Sequence, residues 1–336
     1  MNMKAMLLKE NSLVENHPLE MVDLPIPSPG PKDILIQVYS CGVCHTEIDE
    51  IEGRVKPKLP IVLGHEIIGR VVQRGSEAKR FKIGDRVGIA WIYSSCGDCQ
   101  FCRNGNENLC YKFRATGCHE NGGYAEYTKV SEDFAYPIPD RFTDPQAAPL
   151  LCAGAIGYRN LRLSGIEKGK TLGLFGFGAS AHIVIQLAVY WGCEVFVFTR
   201  SEEHRRLAKR YGASWVGGPD DTPPKKLQCA IDFTPIGETI PKALKHLEKA
   251  GRLVLAVIRK RTLIPAMDYT ELLWEEKEIK SVANITRKDA QEFLTIASQI
   301  PIIPEIEEFR LEEANKVLNL LKQGRIQGAA VLRLYE

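Results

Sequence analysis

The hydrophobic pattern changes character near residue 150. Before it, short apolar runs alternate with polar positions and are cut by Pro and Gly, as in Ile34-Leu35-Ile36-Gln37-Val38 and Ile67-Ile68-Gly69-Arg70-Val71-Val72. Such runs predict strands and the punctuation predicts long loops between them, so this half reads as a β-rich domain. Pro25, Pro27, Pro29 and Pro31 cannot pair inside a sheet, and the stretch is expected to be an extended connector. From about 154 the pattern becomes strand, glycine turn, helix, repeated. A strand is predicted over Thr171–Phe175, a helix through Trp191 and a strand over Cys193–Phe198, with later strands at Cys229–Phe233, Arg252–Ile258 and Ile279–Ala283. Alternating units of this kind predict an α/β chain with a doubly wound parallel sheet. A helix over Leu311–Leu321 and a last strand over Ala329–Leu334 form a tail able to pack back on the first domain. The expected divisions are therefore 1–153, 154–286 and 287–336.

Charge removes several classes of function. Lys and Arg total 44 against 42 acids, a net charge of +2, so no field of one sign is available to hold nucleic acid or an anionic membrane. No apolar run approaches the roughly 20 residues a membrane span needs, and the first residues lack the apolar core of an export signal. A cytoplasmic location with reduced cysteines is the expectation.

Cysteine then changes the picture. Four of the ten cysteines fall within fifteen residues, as Cys96-x-x-Cys99-x-x-Cys102 followed by Cys110. Two-residue spacers with turn residues (Gly97-Asp98, then Asn104-Gly105-Asn106) let four sulfurs converge on a tetrahedral zinc ion at about 2.3 Å. Two disulfides are the alternative, and they need an oxidising compartment. A closed four-sulfur site has no open position, so a lobe over about 91–112 is expected to brace structure.

Gly176-Phe177-Gly178-Ala179-Ser180-Ala181 follows a predicted strand and opens a predicted helix, the setting of a dinucleotide-binding turn. Gly176 makes the turn, Gly178 lets the backbone approach a pyrophosphate and Ala181 permits close helix packing. At the end of the next strand stands Thr199-Arg200-Ser201, where an NAD site usually carries an acid. Without an acid to repel a 2′-phosphate, and with a planar guanidinium to bind one, NADP(H) is expected over NAD(H), which stays possible. Singly, Cys44, His65 and Cys152 each have a plain reading: a buried thiol, a loop histidine and a small residue at a domain junction.

Taken in order, Cys41-Gly42-Val43-Cys44-His45-Thr46, Gly64-His65-Glu66, the cysteine run and the glycine turn resemble the zinc-dependent medium-chain alcohol dehydrogenases, over essentially the whole chain. The resemblance implies a GroES-like catalytic domain, a Rossmann domain inserted before the C-terminal tail, and an active site in the cleft between them. It implies two zinc ions per chain, the catalytic one held by Cys44, His65 and Cys152 with Glu66 able to approach it. Glu47, where the family usually has Asp, is implied to orient His65. By the same match Thr46 passes a proton and His45 contacts the cofactor pyrophosphate. Asp49 stands where many relatives have a relay histidine, so either it or water carries the proton onward. Gly328-Ala329-Ala330-Val331 lacks an arginine found in some relatives, while Thr199-Arg200 is similar to the Ser-Arg of NADP-using members.

Trp91 resembles a pocket-wall aromatic, and Ile51 replaces another indole. An enlarged pocket for medium-sized or aromatic primary alcohols and aldehydes is therefore implied. A polyol or amino-alcohol dehydrogenase is the nearest alternative, although those relatives tend to carry a carboxylate where Cys152 stands. A zinc-binding redox sensor without catalysis is the other, and it would show a broken catalytic set. A homodimer or homotetramer is expected. Cys41, Cys118, Cys193 and Cys229 are assigned mostly to the core, with Cys41 and Cys118 near predicted active-site loops and open to oxidation.

Overall fold

A computed structural model describes residues 1–335. The chain divides into two compact units: Met1–Cys152 with Ile285–Ser298 and Pro304–Glu336, and Ala153–Asn284 with Gln299–Ile303.

The first unit is built on a seven-stranded sheet in the order Ala135–Pro137, Arg86–Ile89, Glu66–Arg74, Asp33–Val43, Ala329–Arg333, Ile306–Arg310, with Tyr127–Ser131 also paired to Asp33–Val43. Strand Asp33–Val43 is its spine, because it pairs antiparallel with three partners: Gly42 opposes Glu66, Val43 opposes Ala330, and Ile34 opposes both Arg74 and Val130. Its apolar side chains Ile34, Ile36 and Val38 are buried, and the core continues through Ile67, Val71, Val87 and Ile89. A second sheet pairs Leu19–Pro25 and Ile61–Val62 with Asn2–Leu8. Pro25 closes the outer strand Leu19–Pro25, and residues 26–30 run without regular structure, as the proline spacing requires. In the tail, a 3₁₀ turn at Leu311–Glu313 leads into helix Ala314–Lys322, which buries Val317, Leu318 and Leu321.

The second unit holds six parallel strands in the order Trp215–Gly217, Glu194–Phe198, Thr171–Phe175, Leu227–Asp232, Leu247–Leu255, Glu278–Ser281. Numbered along the chain this is 3-2-1-4-5-6, the doubly wound order of dinucleotide-binding sheets. Phe175 and Phe198 stack in its core with centroids 4.1 Å apart. Gly157 lets helix Ala153–Ser164 lie close to helix Ala179–Tyr190, since a Cβ there would sit 2.2 Å from Val184 Cγ2. The expected strand over 252–258 instead occupies Leu247–Leu255: helix Thr239–His246 runs straight into it, and a register irregularity opposite Leu227 and Cys229 admits the extra residues. Strand Trp215–Gly217 was not expected, being too short to carry a period of its own. No helix among the described residues is long and apolar enough to cross a membrane.

Candidate active site and metal centres

Around the cysteine lobe, strand Ile92–Ser94 pairs with Arg114–Ala115, and Gly97 and Gly105 take positive φ at the turns. Sulfur to sulfur, Cys96 and Cys110 are 3.4 Å apart, Cys99 and Cys102 3.6 Å, and Cys96 and Cys102 3.9 Å. Four thiolates at 2.3 Å from one ion stand about 3.8 Å from each other in a regular tetrahedron. All ten cysteines are free, so the disulfide alternative fails and the donor set fits zinc. Backbone N–H groups of Cys96, Cys99 and Lys112 point at the sulfurs. The Cys99 thiol falls to about 6, chiefly through the backbone amide of Cys102, whereas hydrogen bonding to Asp98 pushes Cys96 up to about 12. The lobe is anchored by buried Glu107, whose Oε1 accepts from Arg287 N (2.9 Å) and Nε (3.2 Å), while the Arg287 guanidinium lies over the Phe134 ring.

A second group of donors forms inside the same unit. Strand Asp33–Val43 delivers Cys44 to the N-cap of helix His45–Ile51, and Cys152 follows the 3₁₀ turn Ala148–Leu151. Ligand atoms of Cys44, His65, Glu66 and Cys152 all lie within 4.8 Å of one another. Glu47, three residues into the helix, accepts from Cys44 N at 2.7 Å through Oε2, and its Oε1 lies 2.6 Å from His65 Nδ1. His65 is fully buried, neither of its ring nitrogens makes a well-formed hydrogen bond although Glu47 approaches Nδ1, and its ring meets Trp91 edge-on at 4.9 Å. An orphaned imidazole nitrogen facing two thiols is costly unless it ligates something, and the nitrogen–sulfur donor set suits zinc. Gly42 makes the room: a Cβ there would lie 1.9 Å from Glu66 Oε2.

The four groups strongly perturb one another's protonation. Hydrogen bonding from Cys152 holds the Cys44 thiol well below its ordinary value, and that same bond, with burial, holds Cys152 well above. Burial opposes a charge on His65, yet Glu47 and the Cys44 sulfur keep it well above the usual histidine range. Burial, then the Cys44 charge, keeps Glu66 well above the carboxylate range.

Other expected site residues are spread unevenly. Thr46 is buried, with its Oγ1 3.6 Å from the Cys44 sulfur, and His45 is exposed at the helix start. Asp49 is tied up by Arg54, whose Nε donates to Oδ1 at 2.6 Å; Arg54 also pairs with Glu52. Ile51 is fully buried in the unit's main core. Ile48 and Ile51, three apart, form the core-facing stripe of this helix, a signal the sequence carried. Val55 packs against the Trp91 cluster with Phe113, and sequence reasoning missed it. Glu50 was also missed. It is fully buried beside the Cys118 thiol, with neither oxygen in a well-formed hydrogen bond, and burial holds it well above the carboxylate range. Burial also holds the Cys41 thiol well above its ordinary value and pushes Cys118 up to about 12, which opposes the oxidation expected of them. Cys193 and Cys229 are core residues.

In the second unit Gly176 has φ +85°, and its N–H donates to the Phe198 carbonyl at 2.8 Å. Gly178 is the N-cap of helix Ala179–Tyr190, and a Cβ there would meet nothing within 4 Å, so the turn is open where a phosphate would approach. Ala181 is buried against the sheet. Thr199 is buried, its N–H donating to Gly217 and its carbonyl accepting from Arg205 Nε, and Ser201 Oγ caps helix Glu202–Arg210 by accepting from His204 N. Arg200 is exposed and has no partner among the described residues.

Comparisons with known proteins agree with this architecture. Residues 30–140 match the family described as alcohol dehydrogenase GroES-like domain, and residues 181–299 the family described as zinc-binding dehydrogenase. The chain is 41% identical over 336 residues to the probable alcohol dehydrogenase AdhA of Mycobacterium tuberculosis, covering 98% of this chain and 97% of that one. Among solved structures it is similar to CAD from Helicobacter pylori complexed with NADP(H), at TM-score 0.90 and 25% identity over 99% of this chain and 98% of that one. Acetophenone reductase from Geotrichum candidum in complex with NAD is also similar, at TM-score 0.89 and 26% identity over 99% and 97%. With both family regions in order along the chain and a relative matched nearly end to end, the protein belongs to the zinc-dependent medium-chain alcohol dehydrogenases and is an enzyme of that family.

Proposed function

We propose that this enzyme interconverts medium-sized or aromatic primary alcohols and their aldehydes with NADP(H), using a catalytic zinc on Cys44, His65 and Cys152 and a structural zinc on Cys96, Cys99, Cys102 and Cys110. The observation that carries the reading is the convergence of Cys44, His65, Glu66 and Cys152 within 4.8 Å, from three separate stretches of chain. Zinc bound there supplies a Lewis acid that lowers the cost of negative charge on a substrate oxygen during hydride transfer. The residues do the rest. Cys44 and Cys152 as thiolates balance the dication, and the Glu47 carboxylate, 2.6 Å from Nδ1, orients the His65 ring. Thr46 Oγ1, buried beside Cys44, takes the alcohol proton and hands it outward. Because Asp49 is held by Arg54, water carries that proton onward.

Pocket size rests on Trp91 and Val55, since a three-carbon side chain beside the indole leaves space for a larger substrate. The unpartnered Arg200 guanidinium, with no acid in the Thr199-Arg200-Ser201 stretch, supports NADP(H). Assembly as a homo-oligomer is supported by the sheet edge Glu278–Ser281, which carries exposed Ile279, and by exposed Ile258, Leu263, Ile264, Tyr269 and Trp274 in the preceding stretch of chain. Turnover of benzaldehyde with NADPH and with NADH, repeated with Arg200→Ala, tests the coenzyme reading. NADPH should be preferred and the variant should lose roughly tenfold in NADPH affinity alone, as for one charged hydrogen-bonding partner. A wild type that prefers NADH overturns it.

A further inference from the structure

The carboxyl edge of the parallel sheet holds an ion pair that the proposed reaction does not use. Strand Leu227–Asp232 ends on Asp232, whose side chain is fully buried. From the loop after strand Leu247–Leu255, Lys260 reaches back and its Nζ donates to Asp232 Oδ2 at 2.6 Å and to the Thr234 carbonyl at 2.7 Å. Asp232 Oδ1 in turn accepts from Thr234 N (2.8 Å) and Oγ1 (2.7 Å). Further along, Arg261 N donates to the Pro235 carbonyl and Gly237 N to Thr262 Oγ1, so the loops after the fourth and fifth strands are sewn together. They adjoin the glycine turn: Phe233 N donates to the Phe175 carbonyl, and a Cβ on Gly176 would lie 3.1 Å from Thr234 Cγ2.

Holding two loops together does not require an ammonium, because apolar groups of similar volume stabilise such a place as well or better than a buried pair. An ammonium has three donors. Two are used, no third acceptor for Lys260 exists among the described residues, and its side chain remains 12% exposed. In doubly wound sheets ligands lie outside the carboxyl ends of the strands, at the point where strand order reverses, here between the first and fourth strands. Arg200 lies two residues past the end of the second strand, on the adenosine side of that point, and Lys260 stands on the other side with the fourth and fifth.

We infer that Lys260 is a cofactor-binding residue whose remaining N–H donates to an oxygen of the nicotinamide-nucleotide half of the dinucleotide, with Asp232 and Thr234 fixing its position. The inference rests on the dinucleotide reading above. It is tested by titrating NADPH and NADH against wild type, Lys260→Met and the double variant Lys260→Met/Asp232→Asn, following the fluorescence of the bound reduced nicotinamide, with 5′-AMP as a probe of the adenosine half. The double variant avoids a stranded buried carboxylate and keeps an acceptor for Thr234. Both variants should lose roughly tenfold or more in affinity for both dinucleotides, with 5′-AMP affinity unchanged. A double variant that binds NADPH and NADH as wild type does, or a loss shared equally by 5′-AMP, overturns the role of Lys260. A wild type that binds neither dinucleotide removes the coenzyme reading itself.

Discussion

The two donor clusters of the first unit make an instructive pair. In the lobe, four sulfurs come from one stretch of fifteen residues, three of the cysteines are half-buried and Cys110 buried, and a four-sulfur set leaves no ligand position open. In the other, donors come from residues 44, 65, 66 and 152, His65 and Glu66 are buried, and Glu47 and Gly42 exist to hold and to make space. One site is assembled by turns and the other by a whole sheet. A local site is fixed by a few φ angles, while a convergent one inherits its geometry from every strand that carries it.

That contrast can be broken most severely at Cys44. Cys44→Ser removes a ligand from the convergent site alone, so metal analysis should find the lobe's ion retained while kcat falls by several kcal/mol of barrier, roughly a thousandfold. Loss of both ions would show that the sites are not separable. Cys99→Ser makes the complementary cut: a lower melting temperature, costing about 2–5 kcal/mol by analogy with other cross-links of small lobes, with turnover per folded chain largely spared. A collapse of kcat in chains still folded would contradict a bracing role. Glu47→Ala leaves all ligands in place but frees His65, and metal affinity or kcat should drop about 10–100-fold; an unchanged variant would mean that packing alone orients the ring.

A smaller effect sharpens the comparison through Glu50. Burial raises this carboxyl above its ordinary value, so the folded chain keeps a proton that the unfolded chain releases. The group's presence therefore costs stability progressively as pH rises above the ordinary glutamate range, at no more than about 1.4 kcal/mol per pH unit. Glu50→Gln should melt higher than wild type by a margin that widens between pH 5 and pH 7.5. Parallel melting curves at the two pH values check this, and a margin that narrows would reverse the sign assigned to the group.

Legibility in the sequence followed the same division. Spacing alone exposed the four-cysteine lobe, and strand-turn-helix grammar exposed the parallel sheet, because both are written in near neighbours. Cys44, His65 and Cys152 gave no local sign of convergence and were joined only through the order of motifs. The three-residue spacing of Ile48 and Ile51 marks the core-facing side of their helix, while Val55, past the helix end, was overlooked. The short strand Trp215–Gly217, which pairs with Phe196–Phe198, and the buried pair of Asp232 with Lys260 depend on tertiary partners that no short window of sequence displays.

Strand Ala329–Arg333 is inserted between Asp33–Val43 and Ile306–Arg310, with Ala330 opposite Val43. During synthesis the residues leading into Cys44 therefore leave the ribosome long before their sheet partner. The nascent chain can close its cysteine lobe once residue 110 has emerged, but the strand leading into Cys44 stays half-paired until Ala329–Arg333 has followed. Deleting strand Ala329–Arg333 would leave Asp33–Val43 with an open edge in the finished protein, a lasting form of a condition every copy otherwise passes through at birth.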